Sequence, residues 1–236
     1  MRYALYFAPA ASHPLWGRGN VWLGRDPESG RYFMPPDVPG LGADEVEALT
    51  AAPRRYGLHA TIKPPFRLDG GRDEAGLFAR IEEFSARQRP FTLPQLTVAK
   101  LDDFIALQLR RPCPALNALA DACVADFDDF RAPPDAAERA RRESEILDAD
   151  AAARLARWGY AHVFEGFRLH LSLTQGVTPA LQAKLLPWLS DYFAPALKSP
   201  CRVDGLALYV EPFASAPFRL VRRFAFTATT KACAAA

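Results

Sequence analysis

Four histidines occur in the 236-residue chain, and two of them share the same short sequence frame. His59 begins the segment HATI and His170 begins HLSL, so each is followed by an apolar residue, a hydroxyl residue and another apolar residue. In an extended strand, residues i and i+2 project from the same face, which places each imidazole beside its hydroxyl, Thr61 or Ser172. The repeated frame therefore predicts two matching sets of polar side chains.

Two imidazoles that meet in one cleft can divide a proton-transfer reaction between them. Imidazole titrates near neutral pH, so one ring can accept a proton from water while the other donates one to a leaving alkoxide. The hydroxyls of Thr61 and Ser172 can donate hydrogen bonds to phosphate oxygens as charge develops there. We therefore predict that His59, Thr61, His170 and Ser172 catalyse phosphodiester hydrolysis that needs no metal and no other cofactor.

Two other interpretations of the histidine pair stay open at this point. Both rings could lie on half-buried sheet faces with hydrogen-bond partners and no reactivity. They could also share a zinc ion with a third ligand such as Asp102, Asp103 or Glu211, although no metal-like spacing supports one of these. The sequence contains no His-Glu-x-x-His motif, no phosphate-binding glycine loop and no Gly-x-Ser-x-Gly motif. We expect no metal site.

Three further residues are candidates for binding substrate. Lys63 lies two residues beyond the first hydroxyl and would share its face if the strand continues, and Arg168 shares the face of His170 by the same alternation. Tyr56 could stack on a base or a sugar. Each also has a structural interpretation: a solvated lysine at a rim, an arginine paired with an acidic residue, and an aromatic ring that packs at a strand end.

A repeated order of predicted elements surrounds the two frames. Each frame lies on a strand that is followed by a helix and two more strands, over residues 56–110 and 165–228. Residues 112–160 are predicted to form a helical insertion or lid between these two repeats. We expect one domain over residues 1–230 and a short tail at residues 231–236.

Composition and charge exclude several classes of protein. Half of the residues are hydrophobic and 24% are charged, which is typical of a globular chain, and the net charge of +2 is too small to favour long nucleic acid. No apolar run has membrane-spanning length, and the start of the chain has no signal-peptide pattern. The four cysteines form no Cys-x-x-Cys pair, so we expect reduced thiols in a cytoplasmic protein. The oligomeric state stays open.

The duplicated motif at His59 and His170 resembles that of the two-histidine (2H) phosphoesterase superfamily. Three stretches, RYALYFAP, PRRYGLHATIKPPFRL and FRLHLSLT, are similar to a branch often encoded with phosphonate-utilisation genes. In that branch the second motif usually carries Thr where this chain has Ser172. The resemblance implies a bilobal α+β fold, with two antiparallel sheets around a central cleft and helices outside. It also implies that His59, Thr61, His170 and Ser172 are catalytic.

Hydrolysis of a small cyclic phosphodiester is the function that these features favour. A ribose or nucleotide cyclic phosphate is the expected substrate, and the resemblance associates it with phosphonate catabolism. A non-catalytic module that binds a cyclic phosphate or an RNA end is the alternative. RNA 2′,5′ ligation is disfavoured, because the near-neutral charge and the lack of a long basic stripe give little hold on a polynucleotide. Which histidine is the base stays open.

Overall fold

The structure is a computed structural model that describes residues 1–143 and 148–229. The predicted tail at residues 231–236 lies outside the described residues, as does a short part of the predicted insertion, residues 144–147. The strands are β1 (Arg2–Phe7), β2 (Ala60–Phe66), β3 (Phe91–Thr92), β4 (Leu96–Leu101), β5 (Phe104–Leu109), β6 (His170–Ser172), β7 (Arg202–Val203), β8 (Gly205–Glu211) and β9 (Arg219–Ala225). The α-helices are α1 (Pro14–Leu23), α2 (Ala43–Arg54), α3 (Glu74–Ala86), α4 (Pro114–Asp126), α5 (Ala136–Glu143), α6 (Ala149–Trp158) and α7 (Pro179–Leu197).

Two antiparallel sheets form the centre of the fold. One has the strand order β2-β1-β8-β9 and the other has the order β4-β5-β6, while β3 and β7 form a short separate pair. Helices α3 and α4 pack on the strands of the first sheet, and α7 packs on β4 and β5 of the second. The predicted class, α+β with two antiparallel sheets around a cleft and helices outside, is confirmed.

Strand pairing joins the two predicted repeats, directly at β6 and through β1 at β2. Strand β2 pairs with β1, which pairs in turn with β8 from the second repeat. Strand β6 pairs with β5 from the first repeat, with Ser172 opposite Ala106 and His170 opposite Gln108. Because β2 and β6 also contact each other, the two frames meet where the sheets meet.

One buried core joins the two sheets. Leu5 and Ile62 from the first sheet and Leu107 and Leu171 from the second are almost completely buried in the same apolar cluster. Burial of this apolar surface provides the main free energy of folding, so the relative position of the two sheets is part of the core packing. The polar face of each strand is left to line the cleft.

Helix α7 begins as the sequence predicts. The hydroxyl of Thr178 accepts a hydrogen bond from the backbone N–H of Leu181, and Pro179 occupies the first helical turn. The described residues between the predicted repeats include α4, a 3-10 turn at Asp128–Phe130, α5 and α6. Among the described residues, no helix is both long enough and apolar enough to cross a membrane.

Trp22 on α1 forms a hydrogen bond with the backbone just after β6. Its side chain is fully buried, and its indole Nε1 donates a hydrogen bond of 2.7 Å to the backbone carbonyl of Leu173. That carbonyl directly follows Ser172, so the bond ties the second sequence frame to the first helix. A buried carbonyl that loses its donor is costly, because no water replaces the bond.

We expect Trp22→Phe to lower the free energy of unfolding by roughly 1–3 kcal/mol, because phenylalanine keeps much of the ring but lacks the donor to Leu173. Denaturant unfolding measures this change. Trp188→Phe is the matched control, since Trp188 contacts Trp22 in a tilted arrangement at 5.5 Å between centroids and is partly exposed. An equal loss in both variants would contradict a specific role for the indole N–H.

Candidate functional site

A cleft of about 900 Å³ lies between the two sheets and contains both sequence frames. His59 and Thr61 line it from the side of the first sheet, and His170 and Ser172 line it from the second. The structure therefore brings together the four residues that the repeated frame singles out, although the two frames lie more than a hundred residues apart. Both hydroxyl residues are half-buried and border the open volume of the cleft.

Each imidazole is held by a backbone carbonyl two residues earlier in the chain. Nδ1 of His59 lies 2.9 Å from the carbonyl oxygen of Gly57, and Nδ1 of His170 lies 2.8 Å from that of Arg168. A carbonyl oxygen only accepts hydrogen bonds, so Nδ1 carries the proton in both rings. Nε2 is then the atom that each neutral ring can use as a base.

The position two residues before His59 needs a glycine. Gly57 has a φ of 78°, in the left-handed region that side chains rarely adopt. A Cβ atom at this position would also lie 2.5 Å from Cγ of Pro27. The carbonyl that orients His59 therefore depends on a turn that only glycine can make without strain.

His59 lies against aromatic rings. The ring of Tyr6 lies 4.1 Å from it and that of Tyr56 lies 5.5 Å from it, between centroids. Burial lowers the pKa of His59 to about 4; the hydrogen bond to the Gly57 carbonyl opposes this shift, and the neighbouring His170 adds to it. The free imidazole is therefore neutral at physiological pH.

His170 has different surroundings from those of His59. Its ring meets the edge of Phe104 at 5.7 Å between centroids. Burial lowers the pKa of His170 below its ordinary value; the hydrogen bond to the Arg168 carbonyl opposes the shift, and His162 adds to it. The same sequence frame thus produces two imidazoles with different neighbours, and His59 has the more extensive aromatic contacts.

Tyr56 lines the cleft, and its ring packs on neighbouring aromatic side chains. It stacks on Phe218 at 4.8 Å between centroids and also stacks on His59. These contacts give Tyr56 a clear structural role in orienting the imidazole. Its stacking on a base or sugar stays a prediction.

The structure corrects the placement of Arg168. The side chain of Arg168 is exposed and is not among the described residues that line the cleft. The strand begins only at His170, so the alternation that would place residue 168 on the same face does not extend back to it. Arg168 contributes its backbone carbonyl to the site instead.

The structure also corrects the placement of Lys63. A register shift between the pairs Tyr6–Thr61 and Leu5–Lys63 inserts one extra residue in β2, which turns Lys63 to the core face. There its Nζ donates to the carbonyl of Val124 at 3.0 Å, and burial lowers the pKa of Lys63 to about 8. Lys63 therefore does not project with His59 and Thr61.

Several residues outside the predicted catalytic and substrate-binding sets also line the cleft. They include the aromatic residues Tyr6 and Phe104 and the charged residues Arg2, Arg55 and Glu211. Alternation in RYALYF could have indicated Tyr6, because it lies one position from the core-facing Leu5. No local signal connects Arg2 with Glu211, which are 209 residues apart and form an ion pair across β1 and β8.

The described residues include no group of three or more His, Cys, Asp or Glu side chains placed to hold a metal ion. Of the third ligands considered for a zinc site, Glu211 is bound by Arg2 and Arg55. Asp103 lies in a neighbouring groove beside Gly176.

Comparison with known proteins relates the chain to one family. A family described as protein of unknown function (DUF1045) matches residues 61–219. A ribose 1,5-bisphosphate phosphokinase PhnN of Janthinobacterium sp. (strain Marseille) is 37% identical over 230 residues, which cover 96% of this chain and 51% of that protein. The protein of the same name from Laribacter hongkongensis (strain HLHK9) is 37% identical over 223 residues, covering 94% and 51%. The chain spans about half the length of these curated relatives.

Comparison with solved structures finds matches of low sequence identity. A structure described as a phosphoesterase has a TM-score of 0.43 at 16% identity, covering 96% of this chain and 98% of its own. E. coli LigT complexed with 3′-AMP has a TM-score of 0.40 at 15% identity, with the same coverage.

We expect the ring of His59 to titrate with a pKa of about 4 in the free protein, because its aromatic surroundings disfavour the charged form. His170→Gln should raise this pKa, because it removes the second ring, whose charge opposes protonation of the first. NMR titration of the ring protons measures both values. His162→Gln, a change at an exposed histidine, should leave the pKa of His59 unchanged. A wild-type value near 6.5 would show instead that the ring is solvated.

Proposed function

The chain belongs to the DUF1045 family, and from that premise we propose that it hydrolyses a small cyclic phosphodiester without a metal ion. The observation that carries the proposal is the pair of imidazoles, each anchored through Nδ1 and each beside a hydroxyl, in one cleft. Acid–base chemistry at phosphorus needs one group that accepts a proton and another that donates one. The two rings offer both.

In the proposed reaction, water attacks phosphorus and the bond to one ring oxygen of the cyclic phosphate breaks. Nε2 of neutral His59 accepts the proton of the attacking water, and Nε2 of protonated His170 donates its proton to the leaving alkoxide. The product is a phosphate monoester with a free hydroxyl. The two rings approach from opposite sheets, which suits attack and departure on opposite sides of phosphorus.

The hydroxyls of Thr61 and Ser172 complete the proposed site. A hydroxyl can donate one hydrogen bond, and phosphate oxygens gain negative charge as the new bond forms. Donors that are already in place stabilise this charge without reorganisation. Serine in place of threonine keeps the donor and removes only the methyl group that restricts its rotation.

The size and charge of the cleft support a small substrate. A volume of about 900 Å³ is in the range of pockets that hold a single small ligand. The net charge of +2 provides little attraction for a long polynucleotide. A ribose or nucleotide cyclic phosphate fits both conditions, and long nucleic acid is not the partner that we propose.

The name of the curated relatives also contains a ribose phosphate. Ribose 1,5-bisphosphate is what their name says they act on, and this chain matches about half of their length. A diesterase that opens a ribose cyclic phosphate would produce a ribose phosphate monoester. We therefore favour ribose over a nucleotide, in phosphonate catabolism as the resemblance of the sequence suggests.

We expect His59→Gln and His170→Gln each to reduce kcat by roughly 10²- to 10⁴-fold, because each removes one of the two proton-transfer groups. The assay is formation of phosphate monoester from a panel of ribose and nucleotide cyclic phosphates, with circular dichroism as the check on folding. EDTA should leave the wild-type rate unchanged. His13→Gln, a change at a histidine that does not line the cleft, is the matched control and should keep full activity. Saturable binding without product in the wild type would indicate a binding module instead.

The profile of kcat/KM against pH should be bell-shaped with its maximum on the acidic side of neutrality. Activity falls as pH drops through the pKa of His59, about 4, because the base must be neutral. It also falls as pH rises through the pKa of His170, which is lowered from 6.5, because the acid must be protonated. His170→Gln should remove the alkaline limb. An alkaline limb above pH 7 in the wild type would contradict this division of roles.

A further inference from the structure

Two arginines share one buried carboxylate in the wall of the cleft. Glu211, at the end of β8, is only 1% exposed and pairs through one oxygen with Nε of Arg2 and through the other with an Nη of Arg55. The backbone N–H of Ser215 also donates to Glu211, at 3.1 Å. All four residues line the cleft that contains His59 and His170.

The cluster of Arg2, Arg55 and Glu211 keeps a net positive charge. Each guanidinium has five N–H donors and is always charged, whereas the carboxylate carries one negative charge. Burial alone would raise the pKa of Glu211, but the hydrogen bonds and charges of Arg2 and Arg55 lower it, so the carboxylate stays ionised. The arginine side chains are 24% and 30% exposed and can reach a ligand in the cleft.

Aromatic rings support both guanidiniums. Arg2 lies over the ring of Phe218 at 5.8 Å from its centroid, and Arg55 lies at 5.9 Å from the same ring and 5.6 Å from that of Tyr56. Nε of Arg55 also donates to the carbonyl of Ala216 at 3.3 Å. These contacts hold the two cations in place before any ligand binds, which reduces the entropy lost on binding.

Only one aromatic ring separates the arginine cluster from the first imidazole. Arg55 lies over Tyr56, and Tyr56 stacks on His59 at 5.5 Å between centroids. A ligand with its cyclic phosphodiester at the imidazoles would therefore extend along Tyr56 to reach the cluster. The cluster and the imidazole each contact Tyr56, so both border the same stretch of the cleft wall.

We propose that Arg2 and Arg55, oriented by Glu211, bind a second phosphate of the substrate. The substrate is then a sugar cyclic phosphate that also carries a phosphate monoester. Guanidinium groups bind phosphate oxygens through paired charge-assisted hydrogen bonds, which makes arginine the side chain best suited to this task. This inference rests on the proposed function, because the cyclic phosphate is taken to lie at His59 and His170.

Acidic residues on another part of the cleft wall allow a second test, in which removal of a negative charge should strengthen phosphate binding. Asp135 and Glu138 line the same cleft. Asp135 pairs with Arg67 at 3.7 Å. The hydrogen bond to Glu211 and the charge of Glu211 raise the pKa of Arg2 against the effect of burial, and the charge of Glu138 adds a smaller increase. A phosphate bound at Arg2 would meet the negative charge of Glu138. Removal of that charge should therefore strengthen binding of the second phosphate.

The test compares two substrates that differ only in the second phosphate: ribose 1,2-cyclic phosphate with a phosphate on O5, and the same compound with a free hydroxyl there. In the wild type, kcat/KM should be roughly 10- to 100-fold higher for the phosphorylated compound. Arg55→Gln should reduce this ratio to near one, and Glu138→Gln should increase it. Arg110→Gln, the same change at an exposed arginine outside the cleft, should preserve it. Equal kcat/KM for the two compounds in the wild type would overturn the proposal.

A second measurement separates this inference from the proposed function. Ribose 5-phosphate is titrated into the His59→Gln/His170→Gln protein and into the same protein with Arg55→Lys, and ribose is the control ligand. Binding of ribose 5-phosphate that weakens at least tenfold with Arg55→Lys supports the subsite even if no cyclic phosphate is hydrolysed. Hydrolysis of both cyclic phosphates, with no affinity for ribose 5-phosphate, would retain the proposed function and reject the subsite. Thermal unfolding of each variant checks that the fold survives.

Discussion

The site depends on one interaction that occurs twice: a backbone carbonyl accepts a hydrogen bond from Nδ1 of the imidazole two residues later. Gly57 holds His59 in this way and Arg168 holds His170. Without these bonds, each ring could rotate and could carry its proton on either nitrogen. With them, both rings expose Nε2 as the reactive atom. The turn at Gly57, which no other residue makes without strain, is therefore needed to orient the first imidazole.

The two halves of the site have similar sequences but different electrostatic environments. Tyr6 and Tyr56 surround His59 with aromatic rings, whereas His170 has the edge of Phe104 beside it. Because an apolar environment disfavours a charged ring, this difference supports the proposal that His59 is the base and His170 is the acid. A duplicated motif can thus support two distinct roles once its neighbours differ.

Contacts with buried groups also determine where the charged side chains near the cleft lie. Glu211 draws Arg2 and Arg55 together although they come from distant parts of the chain. Lys63 lies only two residues from Thr61, yet an extra residue in β2 turns it into the core, where it binds the carbonyl of Val124. Proximity along the sequence is therefore a poor guide to which cations reach a ligand.

The sequence by itself determined the features that depend on local geometry. Alternation along a strand places His59 with Thr61 and His170 with Ser172, and Thr178 caps α7 through its own hydroxyl, so these predictions needed only neighbouring residues. Only the tertiary structure decided that β2 would pair with β1 and β6 with β5, that Lys63 would face the core, and that Arg2 would pair with Glu211. These outcomes depend on strand register and on contacts between residues up to 209 positions apart, which no local pattern encodes.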